Sequence, residues 1–250
     1  EGNELVIDVK SEIGYVGHCS GDVQQTLRVL DEVLAAQRTL FGANDDRTVR
    51  TLINKGTIYT NLGKRREAEE LLTQATEMRR ALYGEDHPSF ASALYNLANI
   101  TRVTQGLVPA EAMYRQVLAI QERRLVPDHY FTARTRLQLG QTLSRLKQWD
   151  EAEQLLLKAL DAISNRDGPV LVRSNWVRDA LATLYIAQDK FELAECTLMD
   201  MLATAQRFAS SKDQAASTRR AIGLMVELYE KWGKADQAIQ WRVRLNAEPD

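Results

Sequence analysis

The chain has 250 residues, 32 of them Lys or Arg and 34 Asp or Glu, for a formal net charge of -2. Near-neutrality speaks against a strongly basic nucleic-acid binder, and five prolines with thirteen glycines speak against collagen-like or broadly disordered chains. The two cysteines, Cys19 and Cys196, are too few for a disulfide framework or a four-cysteine zinc site and fit a reducing, cytoplasmic compartment. No apolar run approaches the roughly 18 residues of a membrane helix, so no membrane contact is expected. Glu1 stands where a Met would, with no signal-like stretch after it, which reads as an excised or processed piece.

Along the chain, residues 1–20 match the rest poorly and read as a degraded repeat or the stump of a preceding domain, with 21–44 a partial unit. Then a beat appears. Ala68, Ala110, Ala152 and Ala194 recur every 42 residues, and Gly56, Ala98, Gly140 and Ala182 precede them by twelve. The same register meets Gly14 and Thr26 backwards, and Val226 and Ala238 forwards after a step of 44. Leu72, Tyr114, Leu156 and Leu198 share one phase, as do Phe41, Tyr83 and Leu125. Several columns in phase define units at 45–86, 87–128, 129–168 and 169–212, closed by a cap at 213–247.

Each unit reads as two amphipathic helices and a turn. In residues 88–105, Phe90, Leu94, Leu97 and Ala98 fall on one face; in 108–125, Ala110, Met113, Tyr114, Val117 and Leu118 do the same. This is helical spacing, not strand alternation. Gly63, Gly84, Gly106, Gly168 and Gly233 fall at the turns, and Pro88, Pro109 and Pro169 in first turns, where a missing N–H costs least. One helix pair cannot hide its apolar face alone, so the chain is expected to be all-α, a right-handed α-solenoid of about six antiparallel pairs in which each pair touches the next. The small columns let two helices approach, and a bulky residue at Ala98 or Ala110 should cost about 1–3 kcal/mol. The last unit, with Tyr229, Trp232, Gly233, Ala238, Trp241, Arg242 and Leu245, has a polar outer face that suits a cap.

Small-x-x-aromatic followed by Ala-x-x-x-aromatic or Leu on paired helices resembles the tetratricopeptide repeat, at period 42 in place of 34. The longer form is similar to kinesin light chain repeats. Leu82-Tyr83-Gly84-Glu85-Asp86-His87-Pro88 and Ala93-Leu94-Tyr95-Asn96-Leu97-Ala98 carry the resemblance best; Leu40-Phe41-Gly42 and Leu52-Ile53-Asn54 repeat it loosely. Val126-Pro127-Asp128-His129 lacks the glycine, and Asp179-Ala180 replaces the asparagine column.

Nothing in the chain reads as an enzyme. His87 and His129 share a repeat column, which a turn or helix-start role explains, and His18-Cys19 reads as an exposed His beside a half-buried Cys rather than a thiolate pair. There is no phosphate loop and no His-Glu-x-x-His, and no cofactor or metal is expected. The recurring acids Glu67, Glu69, Glu70, Glu151 and Glu153 read as a solvated face.

The resemblance implies a concave, peptide-binding groove lined by the first helix of each pair. In its register this sequence would place there Arg50, Asn54, Tyr95, Asn96, Asn99, Arg102, Arg134, Gln138, Gln141, Arg145 and Trp176. Amides pair with both N–H and C=O of an extended backbone, and Arg adds a fork for carboxylates. Tyr95 and Trp176 would bracket an apolar or aromatic side chain. An extended, partly acidic peptide with an apolar anchor is therefore expected, and kinesin light chains, which recognise short acidic segments carrying an aromatic, lean the same way.

A chaperone-tail site is disfavoured, because of Ile53, Thr57, Asn96, Arg134 and Gln138 only Asn96 and Arg134 fit that pattern. The alternative function is a structural or self-association array within a larger signalling protein, such as the regulatory region of a bacterial kinase. Single-stranded RNA binding would need basic and stacking residues in every unit, which the charge and the lone Tyr95 and Trp176 do not supply.

Overall fold

The computed structural model describes residues 23–164, 170–207 and 212–248. Gly14, His18, Cys19, Gly168 and Pro169 lie outside them. Among the described residues there are eleven α-helices and no strand. They are α1 (Val23–Phe41), α2 (Asp46–Asn61), α3 (Arg65–Tyr83), α4 (Pro88–Thr104), α5 (Leu107–Arg124), α6 (Tyr130–Arg145), α7 (Trp149–Ser164), α8 (Val170–Ala187), α9 (Phe191–Arg207), α10 (Lys212–Lys231) and α11 (Ala235–Ala247). No described helix is long and apolar enough to cross a membrane. The helices form two compact units, Glu1–Leu125 and Val126–Asp250.

In the first unit α2 packs on α3 and α4 on α5, α3 carries the next pair, and α2 also touches α4. In the second unit α6/α7, α8/α9 and α10/α11 repeat this, and the first helices α6, α8 and α10 touch in succession. The chain is thus an all-α array of consecutive helix pairs, as the 42-residue beat requires. Helix α1 supplies Leu27, Leu30 and Leu34 to α2, where Val49, Leu52 and Ile58 receive them.

The small columns sit at the closest helix–helix approach. Ala68, Ala98, Ala110, Ala152, Ala182 and Ala194 have no solvent exposure. A methyl group on Gly56 would stand 2.8 Å from Leu72 Cγ, and one on Gly140 2.8 Å from Leu156 Cγ and 3.3 Å from the Ala152 carbonyl. Leu72, Tyr114, Leu156 and Leu198, the large column facing them, are buried.

Helix starts follow the sequence signals. Asp45 caps α2 by accepting from the Arg47 N–H at 2.9 Å, and the hydrogen bond from Arg47 holds the Asp45 carboxyl below its ordinary range. His87 and His129 cap α4 and α6: each Nδ1 accepts a backbone N–H, from Ser89 and Phe131, at 3.1 Å. Pro88 follows as the first residue of α4. The α2–α3 turn uses Gly63 at φ 72, whereas the corresponding α6–α7 and α8–α9 turns place non-glycine residues in the same left-handed region, Lys147 at φ 62 and Asp189 at φ 59. There a side chain crowds the following carbonyl, a cost glycine avoids.

The carboxylate column corrects the sequence reading in part. Glu67 and Glu70 are exposed, but Glu69 and Glu153 are half-buried and tie one pair to the next. Glu69 accepts from Thr104 Oγ1 at 3.1 Å and from Gln105. Glu153 accepts from the Tyr185 hydroxyl at 3.1 Å and from Lys190 at 2.9 Å, and Glu195, 42 residues on, accepts from the Tyr229 hydroxyl. Glu111, in the same column, takes Arg115 of its own helix. Burial, followed by the bond to the carboxylate, pushes both Tyr185 and Tyr229 up to about 12. Asp86, in the turn between α3 and α4, ties that turn to the end of α5 by accepting from Arg123 and Arg124, which hold its carboxyl below the usual range.

Candidate functional site

The first helices present their polar columns unevenly. In the first unit, Arg50 on α2 is exposed and Asn54 half-buried. On α4, Asn96 is half-buried and donates through Nδ2 to the Ser92 carbonyl at 3.0 Å. Asn99 accepts from the Tyr114 hydroxyl at 2.7 Å through Oδ1, which leaves its NH2 for another partner. Arg102 is half-buried beside the same phenol, whose titration burial pushes up to about 12. Tyr95 is only 9% exposed, with its ring tilted against Tyr114 at 6.0 Å. Little of that ring is on offer to a partner. Its column in the next repeat holds Leu137, 5% exposed.

In the second unit, Arg134, Gln138 and Gln141 on α6 are half-buried and Arg145 is exposed. Arg134 lies 5.8 Å from the centre of the Tyr130 ring. On α8, Trp176 is 51% exposed. Gln138, Gln141 and Trp176 meet in one cleft of about 370 Å³, completed by Leu137, Asn175, Asp179, Met201, Ala216, Ser217 and Arg220. Arg220 Nε donates to Asp179 Oδ1 across it at 2.6 Å.

Asn175, Asp179 and Arg220 were not singled out as site residues from the sequence, although a signal was there. Asn175 falls in the column of Val49, Ala91 and Ala133, and Asp179 in that of Ile53, Tyr95 and Leu137. Polar residues thus replace apolar ones at two positions of one helix, the kind of local rule-breaking that marks functional sites.

The tetratricopeptide repeat family matches residues 6–81 and 89–165. The chain belongs to the tetratricopeptide repeat family. BtubC (BKLC) from P. vanneervenii is similar in fold, with a TM-score of 0.76 at 19% identity over 90% of each chain. A chain of nearly identical TPR-like repeats of the kinesin light chain kind from Podosopora anserina has a TM-score of 0.67 at 21% identity, covering 84% of this chain and 99% of that one. In sequence, a clustered mitochondria protein homolog of Lodderomyces elongisporus is 19% identical over 94% of this tetratricopeptide chain, which spans 16% of that relative's length. Tetratricopeptide arrays are generally scaffolds for protein–protein interaction.

Proposed function

We propose that the chain is a non-enzymatic protein-interaction module whose first helices hold an extended, partly acidic segment carrying an apolar anchor. The observation behind it is that the first helices of each unit carry reachable Arg and amide side chains: Arg50 and Asn54 on α2 and Asn96, Asn99 and Arg102 on α4 in the first, and Arg134, Gln138, Gln141 and Arg145 on α6 in the second. Amides hold a main chain without demanding a sequence, and the guanidinium groups favour carboxylates. Phe131 on α6 and Trp176 on α8 are exposed aromatic rings on first helices. A cytoplasmic setting suits the exposed free thiol of Cys196.

A peptide array probed with the wild type, with Asn96→Ala and with Arg134→Ala tests this, one variant for each unit. Arg134→Ala should weaken acidic, aromatic-containing peptides by about tenfold, the scale of one lost charge-assisted hydrogen bond, and Asn96→Ala by about fivefold, the scale of one neutral hydrogen bond. Unchanged binding by both variants would remove the first helices from the account.

A second reading, self-association, has one observation behind it. Leu157, Met199 and Val243 hold a single column of second helices in the second unit and are 45%, 51% and 65% exposed. Light scattering over a concentration series tests it, and a strict monomer counts against it.

A further inference from the structure

The cleft on α8 differs from the Arg-rich faces of the other first helices in holding a carboxylate. Among the described residues the cleft holds one acid, Asp179, with a side chain 26% exposed, and one base, Arg220, with a side chain 55% exposed. The two ends of that ion pair therefore differ in what leaving costs. Arg220 can swing into water cheaply, whereas the carboxylate stays on the cleft wall. A guest cation that takes Arg220's place keeps the charge paired; a guest anion meets a fixed negative charge.

A second, independent observation points the same way. Asn175 has no solvent exposure and forms part of the cleft wall. Its Nδ2 donates to the Met201 carbonyl at 3.3 Å, which fixes the amide's orientation and leaves Oδ1 as the acceptor. That Oδ1 is shielded from solvent and has no hydrogen-bond partner. A buried acceptor without a donor is costly, and the columns of the other repeats show that an apolar residue fits here. An unsatisfied acceptor calls for an N–H, not for a carboxylate. The remaining walls suit a long amphipathic side chain: Leu137 and Met201 would cover its stem, and the exposed ring of Trp176 stands where a flat cation can stack.

We propose that this cleft takes an arginine side chain of the bound segment, its guanidinium displacing Arg220 from Asp179, donating toward Asn175 Oδ1 and stacking on Trp176. The inference rests on the interaction-module reading and gives it a direction: a segment that is acidic along α6 carries arginine where it meets α8. Arginine is favoured over lysine because a planar fork can serve the carboxylate and the amide oxygen together.

The test uses single-residue probes, so that it does not depend on knowing the partner. The indole N–H of Trp176, assigned with Trp176→Phe, is followed in 15N-labelled protein during titration with N-acetyl-arginine amide, N-acetyl-citrulline amide and N-acetyl-glutamate amide. Arginine should give a saturable shift in the millimolar range. Neutral citrulline, of nearly the same shape, should bind at least about tenfold more weakly, and glutamate should give no saturable shift. Asp179→Asn should lose about the same factor, and Asn175→Ala, which restores the residue of its column, should bind arginine more weakly without lowering the melting temperature.

Equal shifts from citrulline and arginine, or a saturable glutamate shift, would overturn the proposal even if a variant failed to fold. So would unaltered arginine affinity in folded Asp179→Asn. The peptide array on Asn96→Ala reports on α4 alone. A cleft indifferent to charge beside an Asn96-dependent array removes this inference and leaves the interaction module; an arginine-selective cleft with an unresponsive array does the reverse.

Discussion

The two units spend the same repeat columns differently. In the first unit, the positions that become Asn175 and Asp179 in the second are Val49 and Ala91, both fully buried, and Ile53 and Tyr95, packed inward or half-covered. The candidate polar residues there are Arg50, Asn54, Asn96, Asn99 and Arg102, and Asn99 is already bonded to Tyr114. In the second unit polar groups reach into the apolar columns, and a cleft opens around them. The second helices differ too: Leu157, Met199 and Val243 are exposed in a column that holds Thr73 and Arg115 in the first unit. The lesson is that a repeat keeps its fold through its small and large columns, while its individuality lies in positions that depart from their own column.

The comparison breaks most visibly at Tyr114. It is fully buried, and its hydroxyl is the link between the α4–α5 core and the polar face of the first unit. Tyr114→Ala should cost about 3–5 kcal/mol by denaturant unfolding. Tyr114→Phe should cost only about 1 kcal/mol while freeing Asn99 Oδ1, so a change in peptide affinity in that variant would show that the tyrosine sets how this face is presented.

Next in size is a pair of glycines in the second unit. Gly140→Ala sets a methyl against Leu156 and the Ala152 carbonyl, so overpacking of about 1–3 kcal/mol should outweigh the roughly 1 kcal/mol gained in helix propensity. Gly223, inside α10, has nothing within 4 Å of such a methyl, and Gly223→Ala should raise stability by about 0.5–1 kcal/mol. Equal signs for the two would mean that the repeat's small column is not what limits helix approach.

A similar gain, about 0.5–1 kcal/mol, is expected from Lys147→Gly, which relieves the left-handed turn that Gly63 makes without strain in the first unit.

The smallest expected effect lies at high pH. Tyr185 and Tyr229 have folded-state values near 12, above the ordinary value of about 10 for an unfolded tyrosine. A raised folded value favours the neutral phenol in the fold. The stabilisation is complete below pH 10 or so and is lost as pH rises toward 12. The double variant Tyr185→Phe, Tyr229→Phe should show a shallower loss of stability over that window than the wild type; an identical slope would mean that these hydroxyls do not fasten the pairs of the second unit.

The architecture was legible because a 42-residue beat in small and large residues has one economical explanation, stacked helix pairs. What escaped the sequence has physical reasons. Lys147 and Asp189 adopt the turn conformation that glycine signals elsewhere, so no glycine marks those turns. Glu69 and Glu153 look like solvated acids because a single-helix pattern does not show which exposed stripe the next pair covers. Tyr95 counted as groove-facing because its offset was carried over from the family, whereas its own ring is largely covered by packing against Tyr114. Asn175 could have been found, since it departs from a column of Val and Ala, but a column of small buried residues attracts attention only for its agreement.

The account stands on first helices, not second ones, being the faces that meet a partner. The direct measurement is an amide and side-chain chemical-shift map of the 15N-labelled protein with an acidic, arginine-containing peptide selected for binding from a random library. Perturbations should concentrate on first helices, at Arg50 and Asn96 in the first unit or at Gln138 and Trp176 in the second. A map centred on the outer faces of α3, α7 and α9, at Thr73, Leu157 and Met199, would contradict it.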